Sequence, residues 1–318
     1  MPAVSVIMPA YNVEAYIGEA IASVLAQTFN DFELIIVDDG ATDRTGQIAR
    51  EYAKRDRRIV VIHQQNAGLP AARNAAMRRA RAGIFALLDS DDLWAPEFLD
   101  EQLAILRSRP DVDIVTGNAL TLGSHLDGRP ARPWPDHRPQ PDLTSILDDE
   151  YAIFIMCVFT RRVYETIGGF DEMLRTNEDF DYWLRAALAG LRFVRNDRPL
   201  GYYRRRDDSL SASQVRMLRG ALRVCYKHRP ALFTRPELPV LDEAIQRYEA
   251  ELLAAEARTA LTEKHFNLAS RHLTELRERR GGAALGLARI LARWMPGLLW
   301  RAYEMRRRRQ TATHGVPS

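Results

Sequence analysis

The chain has 318 residues, of which 27% are charged and 46% hydrophobic, with a mean hydropathy of −0.30. That length allows roughly two domains of ~150 residues, and the balance excludes both a disordered tail and an integral membrane bundle. The net charge of +3 is unevenly placed: seven Arg against one Glu give residues 281–318 a charge of +6 and leave −3 on the rest.

A net acidic body argues against nucleic acid, which calls for basic residues interleaved with exposed aromatics. Cys157 and Cys225 are too few for a disulfide framework or a thiolate metal site. The longest apolar run, Tyr151 to Phe159, falls short of the ~18 residues of a spanning helix. Met1 leads into Val4–Met8 without a basic segment, so the expected location is the cytoplasm.

In chain order, Val4 to Met8 reads as a buried strand, Glu14 to Gln27 as a helix and Phe32 to Val37 as the next strand. Asp43 to Arg55 follows as a helix, Ile59 to His63 as a strand, Pro70 to Ala82 as a helix and Ile84 to Leu88 as a strand. This alternation predicts an α/β domain with a mainly parallel, Rossmann-like sheet and helices on both faces. Ligands then bind beyond the carboxyl ends of the strands, at Pro9 to Asn12, Asp38 to Gly40 and Asp89 to Asp92. A strand candidate at Asp113 to Leu122 precedes a surface loop at Pro130 to Pro141, where five prolines interrupt all periodicity. Strands at Tyr151 to Thr160 and Pro199 to Arg204 flank a helix at Glu178 to Ala189. After Ser213 the pattern is helical, with an αα-hairpin expected from Glu249 to Thr262 and Phe266 to Arg277. The expected boundaries are 1–212, 213–280 and 281–318.

Three acidic clusters stand at or near element ends. Asp38-Asp39-Gly40 reads as a turn if taken alone. Asp89-Ser90-Asp91-Asp92 brings three carboxylates together, either as a solvated helix-capping run or as hard oxygens for Mg²⁺ or Mn²⁺ on a diphosphate. Glu178, Asp179 and Asp181 open a helix, where the dipole favours acids anyway.

In combination, Val4 to Asn12, Val37 to Asp43, Asn66 to Asn74 and Leu88 to Asp92, followed by Gly168 to Glu172 and Asn177 to Asp179, resemble family 2 glycosyltransferases of the GT-A fold over about two-thirds of the chain. The resemblance implies an inverting enzyme that moves a sugar from a nucleotide donor, expected to be a UDP-sugar, to a hydroxyl of a glycan or lipid-linked acceptor in cell-surface polysaccharide synthesis. It places Asp39 on the uracil N3–H and Pro9, Ala10 and Tyr11 along the base. Arg73 then lies near the nucleotide, Asp89, Ser90 and Asp91 form the DXD element, and Asp91, with Asp89 and Asp92, holds Mn²⁺ or Mg²⁺. Asp179 is the base, and Gly169, Phe170, Glu178 and Trp183 lie on the acceptor side. Relatives carry a metal-binding His late in the domain; here the sequence reads Tyr203-Arg204-Arg205-Arg206, with Arg206 at the His position, where it cannot ligate a cation but can pair with the diphosphate directly, which leaves metal dependence open. That departure keeps open a catalytically silent, nucleotide-sugar-binding or scaffolding member. A nicotinamide oxidoreductase is disfavoured, because no Gly-x-Gly-x-x-Gly follows the first strand.

The tail from Ala283 to Arg309 forms an amphipathic pattern. Arg289, Arg293, Arg301 and Arg308 lie on one arc and Leu287, Leu291, Met295, Leu298 and Leu299 opposite, with Pro296 as a kink. With Trp294, Trp300 and Arg306 to Arg309 it is expected to lie on the anionic inner membrane surface; packing on the protein's own helices is the alternative.

Overall fold

Two runs of seven consecutive buried residues, Val4–Ala10 and Phe32–Asp38, form β1 and β2, and a strand with no exposed position needs cover on both faces. The computed structural model describes residues 1–123, 127–132, 140–206, 209, 212–280 and 288, 290, 291, 297, 300, 301 and 305. The chain divides into two compact units, Met1–Asp207 and Asp208–Ser318.

In the first unit, α1 (Ile17–Leu25) follows β1, and α2 (Thr45–Ala53) joins β2 to β3 (Ile59–His63). Then come α3 (Leu69–Arg79), β4 (Ile84–Leu87), β5 (Leu93–Trp94), α4 (Phe98–Ser108), β6 (Ile114–Leu122) and α5 (Leu143–Asp148). The unit closes with β7 (Cys157–Thr160), α6 (Arg161–Ile167), α7 (Glu178–Leu188) and β8 (Phe193–Arg204). Among the described residues one sheet runs β3-β2-β1-β4-β7-β6-β8-β5. The β3-β2-β1-β4 half is wholly parallel, as the alternation predicts. The other half is mixed: β7 runs antiparallel to β4 and β6, β8 runs parallel to β6, and β5 antiparallel to β8.

Parallel pairing brings the ligand-binding turns to one edge. Ala10 sits beside Asp38 and Ile7 beside Leu87, so the residues following β1, β2 and β4 emerge side by side. Ile17, Ile21 and Val24 of α1 join Leu34, Ile36, Phe98 and Leu103 in the main core cluster.

The expected strand at Tyr151 to Thr160 is shorter than its apolar run, since only Cys157–Thr160 pairs. The Phe154 backbone bonds instead to the Thr116 side chain, with its N–H donating to Oγ1 at 3.0 Å and its carbonyl accepting at 3.3 Å. Helix α4, absent from the sequence reading, is visible in hindsight in the spacing of Phe98, Leu99, Gln102, Leu103 and Leu106, all buried.

The second unit holds α8 (Gln214–His228), α9 (Leu238–Thr262) and α10 (Phe266–Arg280). The expected hairpin is present, with α9 beginning eleven residues earlier than its apolar pattern because Leu241, Ala244, Ile245 and Tyr248 are also buried. Leu253 packs with Leu276, and Ala260 with Ala269. Ala288 rests against the Ala257–Leu273 pair, and Lys264 Nζ lies 5.1 Å from the Trp300 ring centre. Most of the 281–318 tail lies outside the described residues, as do 133–139 of the proline-rich loop and 207, 208, 210 and 211 of the final motif. Among the described residues no helix is long and apolar enough to cross a membrane.

Candidate active site

The turn after β2 depends on Gly40, whose φ of +71° is left-handed and whose Cβ, if present, would lie 2.8 Å from Asn66 N. It directs the Asp39 carboxylate, 3% exposed, into the loop at 64–68. Oδ1 accepts from Gln64 Nε2 at 2.7 Å and Ala67 N at 2.9 Å, and Oδ2 from Gly68 N at 2.9 Å. A carboxylate has about four acceptor positions, so Asp39 staples this loop and has room for about one further donor. Pro9 and Ala10 are buried within β1, whereas Tyr11 is exposed beside them. Asn12 Oδ1 accepts from Thr42 N at 2.8 Å, tying the turns after β1 and β2 together.

Beyond β4, Asp89 and Asp91 are partly exposed, while Ser90 and Asp92 are buried. Arginines compensate the acids: Arg73 Nη2 lies 2.7 Å from Asp89 Oδ1, and Arg206 Nε lies 3.2 Å from Asp91 Oδ2. Arg204 donates from its backbone N to Asp92 Oδ1 at 2.7 Å and from Nε to the Asp91 carbonyl at 2.9 Å. Burial first, and then the neighbouring carboxylates, push the acids of Asp91 and Asp92 above the usual carboxylate range. Among the described residues no three carboxylate, imidazole or thiolate groups converge on a point that could hold a metal. Asp89 and Asp91 nevertheless fit Mg²⁺ or Mn²⁺ in the manner these ions prefer, with one or two carboxylates completed by diphosphate oxygens and water. Asp92, 1% exposed and bonded to Arg204, does not face such an ion.

Helix α7 begins after Asn177, a non-glycine residue at φ +58°. The acids that open it take different roles. Glu178, 6% exposed, pairs with Arg73 Nη1 at 2.5 Å, which makes it the arginine's anchor rather than an acceptor contact. Asp181 is fully buried and holds Arg185 at 2.9 Å, whose other nitrogens donate to the carbonyls of Ile167 and Gly169. Asp179 alone stays partly exposed, with Oδ1 accepting from Phe180 N at 2.8 Å. Burial and the adjacent Glu178 charge push its carboxyl up to about 6, against the pull of Arg73.

Two expected acceptor contacts lie in the core instead. Trp183 is 1% exposed and packs edge-on against Phe159, and Phe170 stacks on Tyr182 with ring centres 4.2 Å apart. Their apolar area is too large to leave in water when α7 docks on the sheet. Gly169 backs onto the Asn74 amide, which also accepts from Phe170 N at 2.8 Å. Arg73, expected beside the nucleotide, is 1% exposed with both terminal nitrogens committed to carboxylates, so it organises the site from behind.

Sequence reasoning gives no role to Arg204 or to Asn177, which it meets only as motif letters, and overlooks Glu150. Arg204 carries a weak signal in its place within Tyr203 to Arg206 and Asn177 one in its place before Glu178 and Asp179, while Glu150 carries none.

Residues 5–168 match the family described as glycosyl transferase family 2. The putative teichuronic acid biosynthesis glycosyltransferase TuaG of Bacillus subtilis is 35% identical over 216 residues, covering 67% of this chain and 83% of that protein. Several other curated relatives are matched over less than two thirds of their length, 63% in another Bacillus subtilis glycosyltransferase and 16% in one from Streptococcus pneumoniae. Among solved structures, S. aureus TarS 1–349 in complex with UDP-GlcNAc superposes with a TM-score of 0.61 at 21% identity, over 98% of this chain and 92% of that one. A mannosyltransferase from Pyrobaculum calidifontis in complex with GDP-Man and Mn²⁺ gives 0.63 at 20% identity, over 95% and 84%. At these identities the superpositions speak to the fold.

Proposed function

This chain belongs to glycosyl transferase family 2, and from that premise we propose that it is an inverting glycosyltransferase that uses a UDP-sugar donor to extend a cell-surface polysaccharide. The observation that carries the reading is Asp179: a partly exposed carboxylate at the start of α7, whose neighbour Glu178 is tied through Arg73 to Asp89. The nearby TarS fold holds UDP-GlcNAc, and TuaG is named for teichuronic acid biosynthesis, which supports the donor and product classes.

The acceptor hydroxyl is a poor nucleophile, so Asp179 takes its proton as the oxygen attacks the anomeric carbon. The bond from that carbon to the diphosphate oxygen breaks on the opposite face, and the electron pair leaves with the nucleoside diphosphate. Asp39 and Tyr11 hold the base, and Arg206 and Arg204 face the diphosphate beside Asp91. Asp89 and Asp91 would hold a divalent cation there, which when bound neutralises the leaving diphosphate. The +6 of residues 281–318 draws the enzyme to an anionic membrane surface on the side where lipid-linked acceptors are made.

The test is UDP release from a panel of UDP-sugars, with and without added glycan acceptors, by wild type and Asp179→Asn. Turnover lost in the variant while UDP still binds supports an enzyme; a wild type that binds UDP-sugars but transfers none to any acceptor or to water identifies a silent binding protein.

A further inference from the structure

Resting on the reading of Asp179 as the base, we propose that Glu150 is a positioning residue for it: by gripping the side chain of Asn177 it fixes the left-handed residue from which α7 starts, and with it the carboxylate two residues on.

Asn177 Nδ2 donates to Glu150 Oε2 at 2.6 Å across 27 residues of sequence, with both residues buried, at 3% and 8% exposure. A left-handed φ of +58° is uncommon for a residue with a Cβ, and Asn is among the few that tolerate it, so Asn177 can start the helix in this conformation while its side chain is held from elsewhere. Asn177 does not use its side chain to cap α7, the usual reason for an Asn at that position. Its carbonyl accepts the first helical bond, from Asp181 N at 3.1 Å, so its backbone sets where Glu178 and Asp179 lie. The segment carrying Glu150 is itself braced, because Tyr151 N donates to Asp149 Oδ1 at 2.9 Å and the Arg132 guanidinium lies 3.1 Å from the Tyr151 ring centre.

The position is electrostatic as well as mechanical. Glu150 feels the charges of Asp149, Arg132 and Asp179 and the Tyr151 hydroxyl, and Asp179 those of Glu178, Arg73 and Asp89. Burial, and to a lesser degree Asp179, push the Glu150 carboxyl up to about 7. Such a buried acid costs stability that an apolar residue would not, and its partner is the residue that orients the base.

The experiment uses the full chain, UDP release from whichever UDP-sugar the wild type turns over fastest, and calorimetric UDP binding. Displacing a base by about 1 Å costs about a hundredfold, so Glu150→Ala and Asn177→Ala should each lower kcat about ten- to a hundredfold, with UDP affinity unchanged within about twofold. Because the two act through one contact, the double variant should be no worse than the poorer single. Glu150→Gln keeps the accepting oxygen and should recover kcat to within about threefold of wild type, a rescue that a merely space-filling role for Glu150 would not show. Wild-type kcat in Glu150→Ala, losses that multiply in the double variant, or a Gln variant as slow as Ala would overturn the proposal. Where Glu150→Ala does not fold, Asn177→Ala and Glu150→Gln decide it. Turnover surviving in Asp179→Asn would refute the base itself; an inactive Asp179→Asn beside a fully active Glu150→Ala refutes only the positioning role.

Discussion

Arg73 Nη1 lies 2.5 Å from Glu178 Oε1, joining α3 to α7 across 105 residues of sequence. The same guanidinium reaches Asp89 through Nη2 at 2.7 Å and lies 5.3 Å from the centre of the Phe170 ring. One buried side chain thereby fixes the distance between the acidic turn after β4 and the helix that carries Asp179. Burial works against its charge, but the two carboxylates outweigh that and make the guanidinium hold its proton more firmly than usual.

Arg73→Met should destabilise the protein severely, because it leaves Glu178 and Asp89 facing each other without a counter-charge. Breaking a buried pair in this way costs about 3–5 kcal/mol. Urea unfolding followed by tryptophan fluorescence, with Trp94 and Trp183 as core reporters, checks it; a loss below about 1 kcal/mol would mean that water solvates the acids.

Asp179→Asn should remove at least about 10²-fold of kcat, the lower end of what general bases contribute, while UDP affinity stays within a few-fold. The amide keeps the shape and the bond from Phe180 N but cannot take a proton. Steady-state kinetics beside calorimetry separates the two quantities.

The pH profile of kcat/KM should carry an acid limb near pH 6, the value to which burial and Glu178 raise the Asp179 carboxyl. The base must be ionised to act, so activity is full above that value and falls about tenfold per pH unit below it. A limb near pH 4, the range of an ordinary Asp, would place the base in open water.

Asp91→Ala should weaken UDP-sugar binding in Mn²⁺ and abolish any difference between Mn²⁺ and EDTA, since it removes one of the two carboxylates suited to the ion. Identical binding in both conditions, in wild type and variant alike, would assign diphosphate recognition to Arg206 and Arg204 alone.

Removing residues 281–318 should release the protein from anionic liposomes without reducing UDP binding. Each basic residue near such a surface contributes about 1 kcal/mol, and salt should weaken the wild-type association. Flotation with anionic and neutral vesicles at low and high salt decides it. Ala288 and Trp300 already rest against α9, α10 and the turn between them; a full-length protein indifferent to anionic vesicles would mean that the rest of the tail does likewise.

The parallel half of the sheet and the acids at its edge are legible in the sequence because each is a local pattern. An apolar run closed by Asp38-Asp39-Gly40 or Asp89-Ser90-Asp91-Asp92 names its own strand end, and parallel strands must deliver those ends to one edge. What each acid does there is decided by neighbours far along the chain. Glu178, Asp179 and Asp181 are near-equivalent letters at the start of a helix. Docking α7 on the sheet gives Glu178 to Arg73 and leaves Asp179 partly exposed, while Asp181 takes Arg185 one turn on within the helix itself. The same docking takes Trp183 and Phe170 into the core, since burying their rings outweighs any use at the surface. Glu150 sits beside an apolar stretch that reads as a strand, and only the folded chain brings it to Asn177. Local composition determines which residues stand at the strand ends and helix starts, whereas burial and charge pairing, which depend on contacts between distant segments, decide which of them remain available for chemistry.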